Sequence, residues 1–473
     1  MKIGLIDPGF KRMLLDFGFP YVGLGYIAAV LEKQGHEVAT LDLALTSEEQ
    51  TERFLKDGYE LIGLSATSFT YGSALETAKN IKAINKDIVT VLGGPHVAIE
   101  MGSILNSPQV DYAVYGEGEL TIAEFVEVLE KDRTPTIENL SSIKGLIFRD
   151  GHKIVTNPAR PRIENLDELP YPAFHLFDMD KYGAFPLLTS RGCPFACAFC
   201  SIKAIWGTLW KYRSPENIVE EIEYACERFN WEKKPFNIID DSFNVKPKRV
   251  MNVCDLLIER GLNIEWFCWG IRADRISLPL ALKMKEAGCY GVSVGIESAS
   301  NKVLKVIKKR ETIEQITMGC QNLKQAGIPI HAQFMIGNAG GTFETFKQSI
   351  QYAKKQRFST VAFYLPLPYP KTELWEYVKK HGRFLKEDYT QFHHFSTKPV
   401  FETPEFSAQE RAKAYTLARR FALGRRIRWE LRIKLNRIKR LDFEGVSLRK
   451  MLRAVCRLTK YFIDLALRRD EKI

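Results

Sequence analysis

The chain has 473 residues, 45% of them hydrophobic and 26% charged, with nine cysteines and a formal net charge of +11. That length suits roughly two to four globular domains, and an odd cysteine count spread along the chain fits reduced thiols rather than a disulfide framework. Met1-Lys-Ile-Gly-Leu-Ile-Asp-Pro lacks the pattern of a signal peptide, and no apolar run is long enough to span a bilayer, so a cytoplasmic chain is expected.

The first 135 residues alternate short apolar runs with helical periodicity. Strands are predicted at Lys2–Ile6, Glu37–Asp42, Leu61–Ala66, Val89–Leu92 and Tyr112–Tyr115. Helices are predicted at Leu24–Gly35, Ser73–Ile84 and Thr121–Glu130. Such alternation implies a parallel, doubly wound sheet of the Rossmann type, whose ligands bind beyond the carboxyl ends of the strands. Ser65 and Thr67, Gly93, Gly94 and His96, and Gly116 and Glu117 fall at three such ends. Small residues there let a backbone approach a ligand closely; tight turns with no ligand are the plainer alternative.

Residues 136–185 read as a connector punctuated by Pro158, Pro161, Pro170 and Pro172, with a hairpin at Gly145–Ile154 around Asp150-Gly151. A second series of strands and helices then fills 186–400. Its predicted strands are Pro186–Ser190, Phe236–Asp240, Glu265–Ile271, Gly291–Ile296, Ile328–Ile336 and Thr360–Leu365. Its helices are Lys248–Arg260, Leu278–Ala287, Thr312–Ala326 and Thr342–Lys355, and Ser214-Pro215-Glu216 is a helix start. Six β-then-α repeats predict a partial (β/α)6 barrel with its chemistry on the C-terminal rim. Asp240, Asp241, Arg272 and Glu297 fall at those strand ends, though rim salt bridges are an equal alternative for Arg272 and Asp241.

Residues 401–473 read as a basic helical region. From Arg419 to Ile473 there are 18 Lys/Arg against 6 Asp/Glu, a local balance of +12, which leaves the remaining chain close to neutral. Two amphipathic segments are expected, one from Arg425 through Ile438 and one over Leu448–Leu467. A basic amphipathic helix can lie on an anionic membrane face; packing on the barrel is the alternative. A near-neutral body with no recognisable binding module argues against nucleic acid as partner.

The densest chemical signal is Cys193-Pro-Phe-Ala-Cys197-Ala-Phe-Cys200, three thiols spaced C-x3-C-x2-C on a predicted loop at a barrel strand end. Three thiolates can hold three irons of a cubane cluster and leave the fourth open to a small molecule. A zinc knuckle with a distant fourth ligand is the alternative. Cys226, Cys254, Cys268, Cys289, Cys320 and Cys456 sit among apolar residues and are expected to pack in cores.

The cysteine spacing, with Phe199 beside the last thiol, resembles the signature of the radical S-adenosylmethionine superfamily. Gly23-Leu-Gly-Tyr-Ile-Ala-Ala, Ser65-Ala-Thr67, Leu92-Gly93-Gly94-Pro95-His96 and Tyr115-Gly116-Glu117-Gly118-Glu119 resemble the cobalamin-binding domain of its B12-dependent class. Trp210-Lys-Tyr-Arg213-Ser214-Pro215, Asp240-Asp241-Ser-Phe243, Gly295-Ile-Glu297-Ser298 and Phe334-Met-Ile-Gly337 extend the likeness over about residues 1–400, nearest to anaerobic magnesium-protoporphyrin ester cyclases and hopanoid methylases.

The resemblance implies a [4Fe–4S] cluster on Cys193, Cys197 and Cys200 that chelates S-adenosylmethionine and yields a 5′-deoxyadenosyl radical. Phe199 would lie near the adenine. Asp240, Asp241, Arg272, Glu297 and Ser298 would hold the ribose and methionine ends. Cobalamin would lie on Ser65, Thr67, Gly93, Gly94, His96, Gly116 and Glu117.

Two departures stand out. Asp7-Pro8-Gly9-Phe10 replaces the D-x-H-x-x-G that would supply an axial histidine. No cysteine precedes Cys193, which argues against methylthiotransferases, whose first domain carries a second cluster. The implied activity is C-methylation of an unactivated carbon in a lipid-like or tetrapyrrole substrate, with flavodoxin or ferredoxin as electron donor. Oxidative cyclisation or rearrangement without methyl transfer, and a cobalamin-binding sensor or interaction protein, are the alternatives.

Overall fold

A computed structural model of the chain describes residues 1–9, 18–393 and 396–440. The first body is a seven-stranded sheet: β1 (Lys2–Asp7), β2 (Glu37–Asp42), β3 (Leu61–Ser65), β4 (Val89–Gly93), β5 (Tyr112–Val114), β6 (Leu146–Asp150) and β7 (Lys153–Thr156). Its spatial order is β2-β1-β3-β4-β5-β6-β7. The five strands through β5 pair in parallel. Strand β3 is buried along its whole length, as a strand covered on both faces must be. Helices α1 (Val22–Lys33), α2 (Glu48–Leu55), α3 (Tyr71–Ile84), α4 (Pro95–Glu100) and α5 (Glu119–Lys131) supply the cover, with α6 (Ile137–Ser142) leading to β6.

Helices α2, α4 and α6 were not expected, and one strand pairing departs from expectation. Helix α2, missed in the sequence, begins with a capping box in which Ser47 and Gln50 satisfy each other's backbone amides. The expected connector hairpin does form, but β6 pairs antiparallel with β5, so the hairpin extends the first sheet instead of bridging two bodies. Its turn carries Gly151 at φ 57°.

The second body is a parallel sheet of six strands in the order β15-β14-β13-β12-β11-β8. The strands are β8 (Phe185–Leu187), β11 (Phe236–Ile238), β12 (Trp266–Ile271), β13 (Cys289–Glu297), β14 (Ile330–Met335) and β15 (Thr360–Tyr364), with β9 (Ser190–Arg191) and β10 (Lys211–Tyr212) forming an antiparallel pair at the rim. Helices alternate with them: α7 (Ile202–Trp206), α8 (Pro215–Phe229), α9 (Pro247–Glu259), α10 (Leu278–Glu286), α11 (Asn301–Val306), α12 (Ile313–Gln325) and α13 (Phe343–Gln356), followed by α14 (Glu373–His381). Ser214, Ser277, Thr312, Thr342 and Thr372 each accept an amide hydrogen bond that starts one of these helices. The barrel is open, because β8 and β15 do not pair. The long helix α15 (Ala408–Arg440) packs along β15, burying Ala414 and Ala418 against the barrel core.

The core accounts for most thiols. Cys226, Cys254, Cys268, Cys289 and Cys320 are buried, and all described cysteines are free. Cys456 and the second expected basic segment, Leu448–Leu467, lie outside the described residues. Among the described residues no helix is long and apolar enough to cross a membrane.

Candidate active site

The cysteine loop leaves β9 through Gly192, whose φ is 82°. A Cβ there would stand 2.3 Å from the Leu209 carbonyl oxygen, so only glycine fits the turn. The Gly192 amide donates to Asp241 Oδ2 at 3.0 Å. Halfway along the loop, Ala198 N–H donates to the Ile307 carbonyl and Ala198 C=O accepts from Leu374 N–H, both at 2.9 Å. Main-chain bonds therefore hold the loop between the end of α11 and the start of α14.

Cys193, Cys197 and Cys200 are half-buried on this loop and close enough to influence one another's ionisation. Burial raises all three thiols, Cys200 to about 12. Lys309 and Arg272 oppose the rise at Cys197, supplying positive charge where thiolate must form. Among the described residues no three His, Cys, Asp or Glu side chains converge as ligands of one metal ion. A cubane takes each cysteine on a different iron.

The remaining expected residues separate into two groups. Asp241 lies at the rim beside Gly192; desolvation of its carboxyl and repulsion from Asp240 raise it to about 6. Glu297 ends β13 with φ 65°, a left-handed conformation rare for a residue with a side chain, and its Oε1 lies 3.4 Å from the buried Lys309. Ser298 follows it and is buried, and Phe199 is partly buried between two apolar clusters. Ser298 is closed, its Oγ accepting from Ser300 N at 3.2 Å, but Asp241, Glu297 and Phe199 keep part of their surface exposed.

Asp240 and Arg272 do not. Asp240 is buried and accepts from Thr189 N at 2.6 Å and from the Thr189 and Ser190 hydroxyls at 2.5 Å each. It pins the rim segment to β11 and has no free face for a nucleoside. Arg272 donates to Asp274 at 3.1 Å, to the Lys309 carbonyl at 3.0 Å and to the Arg310 carbonyl at 3.2 Å. Its guanidinium lies 3.7 Å from the Phe195 ring centroid, within the cysteine loop. Phe195, which sequence reasoning overlooked between Cys193 and Cys197, is thus the loop's anchor to the barrel.

The carboxyl ends of β3, β4 and β5 carry the second set. At Gly94, φ 94°, a Cβ would stand 2.7–2.8 Å from Ala66 backbone atoms and Ser65 Oγ, so two loops touch through a glycine. Gly116, φ 83°, has no atom within 4 Å of where a Cβ would stand and so forms an open ledge of backbone. Thr67 pairs its hydroxyl with Thr70 at 3.1 Å.

Two side chains expected to touch cobalamin are engaged elsewhere. Glu117 accepts from Ile163 N at 2.6 Å, Arg191 at 3.2 Å and Arg162 at 3.4 Å. His96 is fully buried between Tyr71 and Tyr389, with Nδ1 3.1 Å from Ser68 Oγ; burial pushes its imidazole down to about 4 and keeps it neutral. Its Nε2 has no protein partner. Glu117 is thus held by neighbouring segments, whereas His96 keeps one buried ring nitrogen without a partner.

The two sets of loops face each other. Helix α4, which begins at Gly94, packs on α7, which begins just after Cys200. Arg191, two residues before Cys193, bonds Glu119 at 2.6 Å and lies over the Tyr26 ring. Lys371 and Tyr389 close the seam on the Ala98 carbonyl and Glu100.

Known proteins share this pairing. The B12 binding domain family matches residues 16–126, and the Radical SAM superfamily matches residues 187–353. An uncharacterized methyltransferase of Pyrococcus horikoshii is 33% identical over 426 residues, covering 87% of this chain and 90% of that protein. The anaerobic magnesium-protoporphyrin IX monomethyl ester cyclase of Rubrivivax gelatinosus is 30% identical, covering 80% and 70%. A solved structure of the radical S-adenosylmethionine methyltransferase TsrM from Kitasatospora setae, with cobalamin and a [4Fe–4S] cluster bound, aligns with TM-score 0.67 at 18% identity over 80% of this chain and 78% of that one. At that identity the structural likeness speaks for the fold. The chain belongs to the family of B12-binding radical S-adenosylmethionine enzymes, and its cofactors are cobalamin, S-adenosylmethionine and a [4Fe–4S] cluster.

Proposed function

We propose that the enzyme is a C-methyltransferase acting on an unactivated carbon of an apolar, lipid-like or tetrapyrrole substrate. The observation that carries this reading is the apposition of the Gly94 and Gly116 ledge to the cysteine loop through α4 and α7. A methyl carrier and a radical source serve one carbon only if both open on the same space. When bound, the cluster supplies the electron that cleaves S-adenosylmethionine and the corrinoid supplies a transferable methyl group.

The protein's part is placement. Cys193, Cys197 and Cys200 hold the cluster, Glu297 and Asp241 receive the polar ends of S-adenosylmethionine, and Phe199 walls the adenine. Arg272 and Asp240 position the loop and the rim. A low-potential one-electron donor such as flavodoxin or ferredoxin completes the system.

Relatives named methyltransferases include one for cytidylyl-2-hydroxyethylphosphonate and two for bacteriochlorophyllide d, so polar and apolar acceptors both occur among them. The 30% identical cyclase keeps oxidative cyclisation as the second reading. Anaerobic, reconstituted enzyme is incubated with methyl-labelled S-adenosylmethionine and a panel of tetrapyrrole and polyprenoid acceptors. Methyl transfer produces S-adenosylhomocysteine, 5′-deoxyadenosine and labelled product. Turnover with 5′-deoxyadenosine but neither S-adenosylhomocysteine nor label establishes cyclisation instead.

A further inference from the structure

We propose that the barrel carries a second ligand site, at the end remote from the catalytic rim, that binds a phosphate group. The site is a cavity of about 300 Å³ lined by Lys354, Arg357, Phe421, Arg425 and Arg428, where the C-terminal end of α13 meets α15. No carboxylate lines it, and among the described residues none of its four cations forms an ion pair.

Its location follows from the chain. Helix α15 begins near the rim, where Arg411 donates to the carbonyl of Gly337 just beyond β14. It reaches the opposite pole, where Arg425 Nη2 donates to the carbonyl of Phe358, ahead of β15. The cysteine loop, Asp241 and Glu297 lie at the carboxyl ends of the strands, so the cavity is separate from them.

Arg425 is the centre of the site. One arm of its guanidinium is fixed by Phe358, while its Nε is buried and has no acceptor. Arg428 and Arg357 crowd it with like charge, and together with burial they lower its proton affinity. Like charges gathered around an unused, oriented donor are unfavourable until an anion joins them. A phosphate oxygen accepts from the guanidinium fork and from lysine at once. Phe421 gives the cavity an apolar wall, under which Lys354 lies 5.9 Å from the ring centroid.

The phosphate has two sources, a lipid headgroup or a soluble phosphate compound. The helix that lines the cavity opens the segment that holds 18 Lys/Arg against 6 Asp/Glu, which favours an anionic surface.

The full-length holoenzyme is co-sedimented with neutral vesicles and with vesicles containing phosphatidylglycerol. In parallel, inorganic phosphate and pyrophosphate are titrated while the melting temperature is followed. The comparison is the triple variant Lys354→Gln, Arg357→Gln, Arg428→Gln, which leaves the Phe358 bond intact. Its visible cluster spectrum and S-adenosylmethionine cleavage should equal wild type, which controls for folding.

Wild type should bind the anionic vesicles, with affinity falling by roughly tenfold or more in the variant. A phosphate-dependent stabilisation lost in the variant, without vesicle binding, assigns the soluble source. No response in either arm overturns the site, and so does vesicle binding that the variant leaves unchanged, because the tail alone then accounts for it.

Discussion

Asp240 is a buried carboxylate that already accepts three hydrogen bonds. Burial raises its pKa, and Arg249 and the bonds from Ser190 and Thr189 oppose that rise. Asp240→Ala leaves three buried donors unpaired and should destabilise the fold by about 3 kcal/mol; denaturant melts read the loss. Arg272 is likewise a positioning residue. Arg272→Lys keeps the charge but loses the fork and the stacking on Phe195. Cluster absorbance should decay faster, while S-adenosylmethionine affinity in the loaded fraction stays near wild type.

A third residue gives a pH signature. Burial, then repulsion from Asp42, raises the Asp7 carboxyl to about 7, against the pull of the Gly9 amide. The folded chain therefore keeps a proton that the unfolded chain releases above its ordinary value of 3.8. Stability falls as pH rises from about 4 to 7, and the full penalty persists above 7. Asp7→Asn should melt several degrees higher than wild type at pH 8, and the gap should close toward pH 4 in a scanning calorimeter. These residue types were legible in the sequence. Which of them still had open hydrogen-bonding capacity was not, since that depends on partners dozens of positions away.

Most strands and helices carried a local signature that the structure repeats within a few residues. Apolar runs and Ser/Thr caps made them readable. The exceptions share a cause. Helix α2 is polar and buries only Leu55, so periodicity is faint and its start rests on the Ser47–Gln50 exchange. The β6–β7 hairpin was visible, but its pairing with β5 is a long-range choice. Turns are the reverse case, where one residue decides. Gly192→Ala drives a Cβ into Leu209 O and demands φ 82° of an L-residue. We expect the cysteine loop to detach, with iron content after reconstitution falling several-fold while the first sheet keeps its cobalamin.

The two bodies are joined by buried charge. Arg191 reaches Glu117 at 3.2 Å and Glu119 at 2.6 Å, both acids nearly inaccessible, and Arg162 adds a weaker bond. Removing both carboxylates by Glu117→Gln and Glu119→Gln strands a buried guanidinium, a loss on the order of 3–5 kcal/mol. Uncoupled S-adenosylmethionine cleavage should survive in that variant while methyl transfer drops at least tenfold, because the ledge no longer faces the cluster.

The sequence by itself determined the two βα series, the triad of thiols and the glycine ledges. Each is encoded by residues within one loop or one helical turn of each other. Only the tertiary structure decided that Glu117, Asp240 and Arg272 are bonded to neighbouring segments, and that α15 flanks the open barrel and forms a cationic cavity at its base. Those outcomes rest on hydrogen bonds and packing between segments far apart in the chain, where spacing carries no signal.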